Sequence, residues 1–328
     1  MADYKNKFRE RLEVAQKQGA KSIDVFFDQS RNVQERLAAI KNFGTFNEHE
    51  HVQNALGILS DNNQNEDIRA AALEGLINEV GNNEKLMDEV ISILKGESAP
   101  VKLRRAALSV LQASSFTSDV FPSKRPAYLD ALRTVIDDDD KLLKQAAMEY
   151  LAMSNDSYLQ ARLIEGLNDP KKKITRPEVA IQLLSYDLHA DHFPILRKLV
   201  ENPPNSRTKK EALRNLAADP ASKDLLLQTL QNKAEDPEIR HVSAVALESL
   251  SPGEVQSHAK KIILDDNENE ELKAAMLNTL TFSADTGVLN DPDFENKLDS
   301  TYLQISSPNL KKMYSKFKSG VKQSKKLK

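Results

Sequence analysis

Cysteine and tryptophan are absent from this 328-residue sequence, glycine occurs ten times, and aromatic residues make up 5% of it. Without cysteine there are no disulfides, thiolate metal sites or cysteine nucleophiles. Scarce glycine suits a nearly all-helical chain, because glycine weakens helix interiors. Few aromatics beside 40% hydrophobic residues point to a core of Ala, Leu and Ile side chains. No apolar run approaches bilayer-spanning length, so no membrane span is expected. The opening residues, MADYKNKFRERLE, are charged from the start and do not read as a signal peptide. A cytoplasmic location follows as the expectation. A glycine-rich phosphate loop, a Gly-x-Ser-x-Gly elbow and a His-Glu-x-x-His pair are all missing. No enzymatic activity and no cofactor are therefore expected.

What is present is a recurring helix. In EDIRAAALEGL, Ile68, Ala72, Leu73 and Leu76 recur at helical spacing and form one apolar stripe. Glu66 and Asp67 suit the positive end of the helix dipole. Arg69 falls at the stripe's edge, where its stem packs and its guanidinium reaches backbone carbonyls or a loop carboxylate. The pattern returns as LRRAALSVL around Arg104, LKQAAMEYL around Lys144, EIRHVSAVAL around Arg240 and ELKAAMLNTL around Lys273. Weaker copies lie around Arg36, Pro177, Lys209 and Lys311. The spacings between these nine anchors are 33, 35, 40, 33, 32, 31, 33 and 38 residues. A near-fixed period in this range signals stacked supersecondary units.

An acidic residue followed by Ile/Leu/Val-Arg/Lys-x-x-Ala-apolar-x-x-Leu resembles the second helix of the HEAT-repeat family, of the compact bacterial type. The likeness covers nearly the whole chain. It implies an all-α fold, a right-handed α-solenoid of about nine HEAT-like helix pairs. The expected layout is a single array over 1–328. Residues 1–30 form N-terminal cap helices, 31–305 the repeats, 306–320 a C-terminal capping helix and 321–328 a Lys-rich disordered tail. Partner helices are predicted at 51–60, 85–95, 127–136, 157–167, 194–200, 222–230, 252–264 and 293–305. The stretch Ser114 to Pro126 reads as the longest loop, and 282–293 as a second.

Such arrays line their concave surface with the second helices, and this locates a candidate site. Counting from each anchor, positions +1, +5 and +9 lie opposite the stripe. That row carries Arg105, Glu149, Met153, Tyr186, Lys210, Arg214, His241, Val245 and Phe282 as partner-binding candidates. Met153, Tyr186, Val245 and Phe282 are apolar where solvent is expected, while Arg105, Lys210 and Arg214 offer cations to carboxylates or phosphates. One reading is an ordinary mixed surface; the other is a peptide groove with aromatic and arginine anchors.

Charge supplies an alternative. Residues 169–214 hold ten Lys/Arg against six Asp/Glu, and residues 300–328 hold eight lysines and no acid. Binding of nucleic acid or another polyanion through these segments is the competing expectation. Histidine chemistry is weaker. Deoxyhypusine hydroxylases resemble this fold and hold iron with His-Glu pairs, yet only His49-Glu50 matches here. His189 and His192 precede a helix start at which Asp191 reads as an N-cap. Alkylpurine DNA glycosylases resemble basic, tryptophan-bearing clamps, unlike this acidic chain. A third expectation, an accessory subunit of an enzyme complex, rests on phycobilin lyase subunits sharing the repeat. The leading expectation is a monomeric, non-enzymatic scaffold for a protein or peptide.

Overall fold

The computed structural model describes residues 22–41, 44–187, 191–283, 291–302 and 307–326. Among them every regular element is helical and no strand occurs. None of the helices is long and apolar enough to cross a membrane. The chain divides into two compact units, Met1–Leu159 and Gln160–Lys328, with the division inside one helix.

The first unit contains α1 (22–27), α2 (Val33–Ile40), α3 (His49–Ser60), α4 (Glu66–Gly75), α5 (Ile77–Asn82), α6 (Glu84–Lys95), α7 (Val101–Thr117), α8 (Phe121–Val135) and α9 (Lys141–Met153). The dividing helix is α10 (Ser157–Asn168). Helices α4, α7 and α9, which carry the anchors, each pack against the helix before them, namely α3, α6 and α8. They also form their own row, with α4 against α2, α7 against α4 and α9 against α7. Helices α6 and α8 meet on the other side.

The second unit contains α11 (Pro177–Leu184), α12 (Phe193–Glu201), α13 (Ser206–Asn215), α14 (Lys223–Gln231), α15 (Pro237–Leu250), α16 (Pro252–Leu264), α17 (Glu270–Ser283), α18 (Pro292–Tyr302) and α19 (Pro308–Lys326). Here α11, α13, α15, α17 and α19 form the anchored row, backed by α12, α14 and α16, with α18 against α16. The predicted partner helices recur within a few residues of these bounds.

The arginine anchors each serve the end of the preceding helix. The Nε of Arg36, Arg69, Arg104 and Arg240 donates to the carbonyl ten residues earlier, at Phe26 (2.7 Å), Leu59 (3.1 Å), Leu94 (3.1 Å) and Leu230 (2.8 Å). Each acceptor lies one residue before the end of the preceding helix. Carbonyls there have no partner within their own helix, and a cation also opposes the negative end of the dipole. All four arginines are buried. At the N-termini, Asn65, Asn83, Asp140, Asn205 and Asp236 each accept backbone N–H bonds from the first turn.

Three expectations are corrected. The stretch 114–126 is not a loop: α7 runs to Thr117 and α8 begins at Phe121, leaving Ser118–Val120 between them. Ser118 Oγ accepts from the N–H of Val120 (3.1 Å) and Phe121 (3.0 Å), which caps α8. Pro122 falls in the first turn, where its missing N–H is no loss. Pro126 is tolerated inside the helix because Phe121, Tyr128 and Ala131 are buried along it. Second, α19 does not stop at 320 but continues through Gly320 to Lys326. Burial of Val321 at 2% exposure outweighs the helix cost of the glycine beside it. So 321–326 is helix, not disordered tail. Third, Asp191 is exposed and caps nothing; His192, buried, occupies the N-cap position of α12. The first predicted cap helix, at 3–17, His189, most of the second predicted loop and residues 327–328 lie outside the described residues.

Candidate binding groove

The outward row behaves as helical geometry requires. Met153, Tyr186, Val245 and Phe282 are exposed at 66%, 54%, 50% and 70%. Ala274, also on that row, is instead buried, because α19 packs along α17. The charged members are already engaged. Arg105 pairs with Asp140, with Nε–Oδ1 at 3.1 Å. Lys210 lies 2.8 Å from Glu238, and Arg214 lies 2.8 Å from Glu211. Glu149 accepts from Gln145 at 2.8 Å. Burial lowers the His241 imidazole below its ordinary value against the opposing pull of Glu238. Lys210 and His241 thus both act on Glu238. Phe282 is covered on one side by Lys316 Nζ, 4.2 Å from the ring centroid.

Two of the candidates, Glu149 and Met153, are brought together in a concavity of about 590 Å³ in the first unit. It opens where α9 meets α7 over a shorter stretch than α7 meets α4. Phe116 and Ser115 at the end of α7 form one wall, and Glu149, Tyr150 and Met153 of α9 form the other. Phe121, Pro122 and Arg125 at the start of α8 form its end. Beneath lies a stack of rings. Phe121 meets Tyr128 edge-on at 5.5 Å, and Tyr128 meets Tyr150 edge-on at 5.0 Å. Buried Tyr128 has its hydroxyl pushed far above the ordinary value, by burial first and by Tyr150 second. Phe116 is 83% exposed at the rim. Arg125, also exposed, forms no ion pair among the described residues. The groove therefore combines apolar and aromatic side chains with a few polar ones, one cation and one carboxylate.

Sequence reasoning missed Phe116, Phe121, Arg125 and Tyr150. The signal for Phe116 was present: twelve residues past Arg104, it lies on the same helix face as +1, +5 and +9 once α7 is extended to Thr117. Reading 114–126 as a loop hid it.

The basic stretch 169–214 is largely neutralised within the fold. Six of its ten cations face carboxylates: Lys172–Glu165, Arg176–Glu178, Arg197–Asp219, Lys209–Glu235, Lys210–Glu238 and Arg214–Glu211. Two of the described histidines pack against rings. His51 stacks on Phe27 at 5.8 Å, and His192 lies 4.7 Å from Phe193. No group of three or more metal-ligating side chains occurs among the described residues.

A scan against protein-family models finds no match, and a search of curated proteins finds no relative. Among solved structures, the chain is similar to a crystal structure of an engineered protein at 13% identity and a TM-score of 0.40, covering 93% of this chain and 95% of that one.

Proposed function

We propose that this chain is a non-catalytic scaffold that binds a protein or peptide along the row of anchored helices. On this reading the fold is a right-handed, HEAT-like α-solenoid of about nine helix pairs, monomeric and cytoplasmic. The observation that carries the proposal is the groove between α7 and α9, where Phe116 and Met153 stand exposed around a floor of packed rings. Exposed aromatic and methionine side chains around a concavity favour insertion of an apolar anchor from a partner. The cations of the row support this less than their spacing suggested, because Arg105, Lys210 and Arg214 each hold a carboxylate of their own chain.

Panning a displayed random-peptide library against the full chain tests the reading. Enriched peptides are expected to carry a large apolar residue, and Phe116→Ala/Met153→Glu is expected to weaken them at least about tenfold, equivalent to ~1.4 kcal/mol. Tyr186→Ala/Arg214→Glu, in the second unit, is expected to leave them unchanged. Peptides that bind the first variant as well as the parent would discard the groove. Loss with only the second variant would move the site to the second unit.

A further inference from the structure

The C-terminal helix carries a face that the scaffold reading does not use. Leu310, Tyr314, Phe317 and Val321 of α19 are buried, and they recur at the spacing of one helical stripe. Around the rest of the helix surface, Lys311, Lys312, Lys316 and Lys322 are exposed. Two acids of α18 are otherwise occupied. Glu295 and Asp299 of α18 face Lys318, and Asp299 also accepts from the Tyr314 hydroxyl. Lys311, Lys312 and Lys322 form no ion pair among the described residues, and Lys316 lies over the exposed ring of Phe282. The four lysines span about 16 Å of helix, a distance over which a stacked strand at ~3.4 Å per nucleotide places several phosphates.

We propose that the outer face of α19 binds the phosphodiester backbone of single-stranded nucleic acid, with Phe282 as a stacking platform for a base. Three observations favour this over other anionic partners. The apolar face of α19 is committed to the fold, so the helix has no apolar side left to enter a bilayer. The face carries lysines and no arginine, which suits a diffuse row of phosphates better than the bidentate carboxylates of an acidic protein. An exposed aromatic ring beside a cationic row is the combination by which single strands are held without sequence preference.

Fluorescence anisotropy of a labelled oligodeoxythymidylate with the full chain tests it. With four lysines contributing, affinity is expected to fall about fifty-fold between about 50 and 200 mM salt. Lys311→Glu/Lys312→Glu/Lys316→Glu/Lys322→Glu is expected to abolish binding with an unchanged far-ultraviolet circular dichroism spectrum. Should that variant not fold, Lys312→Gln/Lys322→Gln is expected to flatten the salt dependence by about half. Phe282→Ala is expected to weaken the oligonucleotide about tenfold while leaving the salt slope unchanged. Lys171→Glu/Lys173→Glu, in the other basic stretch, is expected to bind like the parent.

Unchanged binding by the folded four-lysine variant overturns the proposal, as does an equal loss on changing Lys171 and Lys173. Binding to phosphatidylserine vesicles with none to the oligonucleotide also overturns it, in favour of a membrane surface. None of these results bears on the groove between α7 and α9.

Discussion

Two basic stretches, 169–214 and the C-terminal helix, differ in where their cations go. In the first, six of ten cations face carboxylates, among them Arg197 toward Asp219 and Lys209 toward Glu235 at neighbouring helix starts. In the second, Lys318 alone has carboxylate partners among the described residues, and its neighbours point into solvent. A charge count treats the two alike. The difference lies in what stands opposite: acids on adjacent helices in one case, only a half-buried Asn278 and the Phe282 ring near Lys316 in the other. Cations of the first kind hold helices together, and those of the second remain available to a partner.

The comparison is sharpest at Arg240, an anchor whose charge is fully engaged. It donates to the Leu230 carbonyl and, at 2.7 Å through each terminal nitrogen, to Glu268, with both side chains at least 95% buried. Arg240→Met leaves Glu268 buried without its partner and is expected to cost about 3–5 kcal/mol in urea unfolding. A midpoint matching the parent would show that the pair contributes nothing. Arg197→Met should cost less, about 2 kcal/mol, because Asp219 keeps the Ser222 hydroxyl and the Ala221 N–H as donors. If this variant lost as little stability as a change on α19, the distinction between the two stretches would fail.

Acid titration refines the Arg240 case. Burial raises the Glu268 carboxyl, but the Arg240 hydrogen bonds, the Asn269 N–H and the charges of Arg240 and Lys233 outweigh it and hold the group below its ordinary value. A lowered folded-state value means that the stabilisation is present above the unfolded-state value and is lost as pH falls through the folded one. Glu268→Gln should therefore melt below the parent at neutral pH, and the two melting temperatures should converge as the solution is acidified below the ordinary carboxylate range. A constant gap across that range would show that Glu268 ionisation is not linked to folding. The smallest effect belongs to α19: Lys311→Ala/Lys312→Ala is expected to change stability by no more than about 0.5 kcal/mol. A larger loss would mean that those lysines also hold the fold.

Much of the helical pattern was legible beforehand. The stripe residues Ile68, Leu111, Leu151, Leu247 and Leu280 are all buried, because a period of 3.6 places them on one face whatever they pack against. The guanidinium reaching a carbonyl was legible for the same reason, since the arginine always follows the preceding helix end at one distance. The α7–α9 groove was half legible. Glu149 and Met153 came from the outward row, but Phe116 and Arg125 lay in a stretch rich in serine and proline that reads as a loop. Local composition there opposed helix, and burial of Ser114, Phe121 and Tyr128 overrode it.

The amino-acid order alone determined where helices form, which side of each is apolar and where a buried cation meets a helix end, because these follow from spacing along one chain. Only the tertiary structure decided which cations find a carboxylate, how far α7 and α19 extend, and where two helices part to leave a groove. Those outcomes depend on groups tens of residues apart, and no local period records their distance.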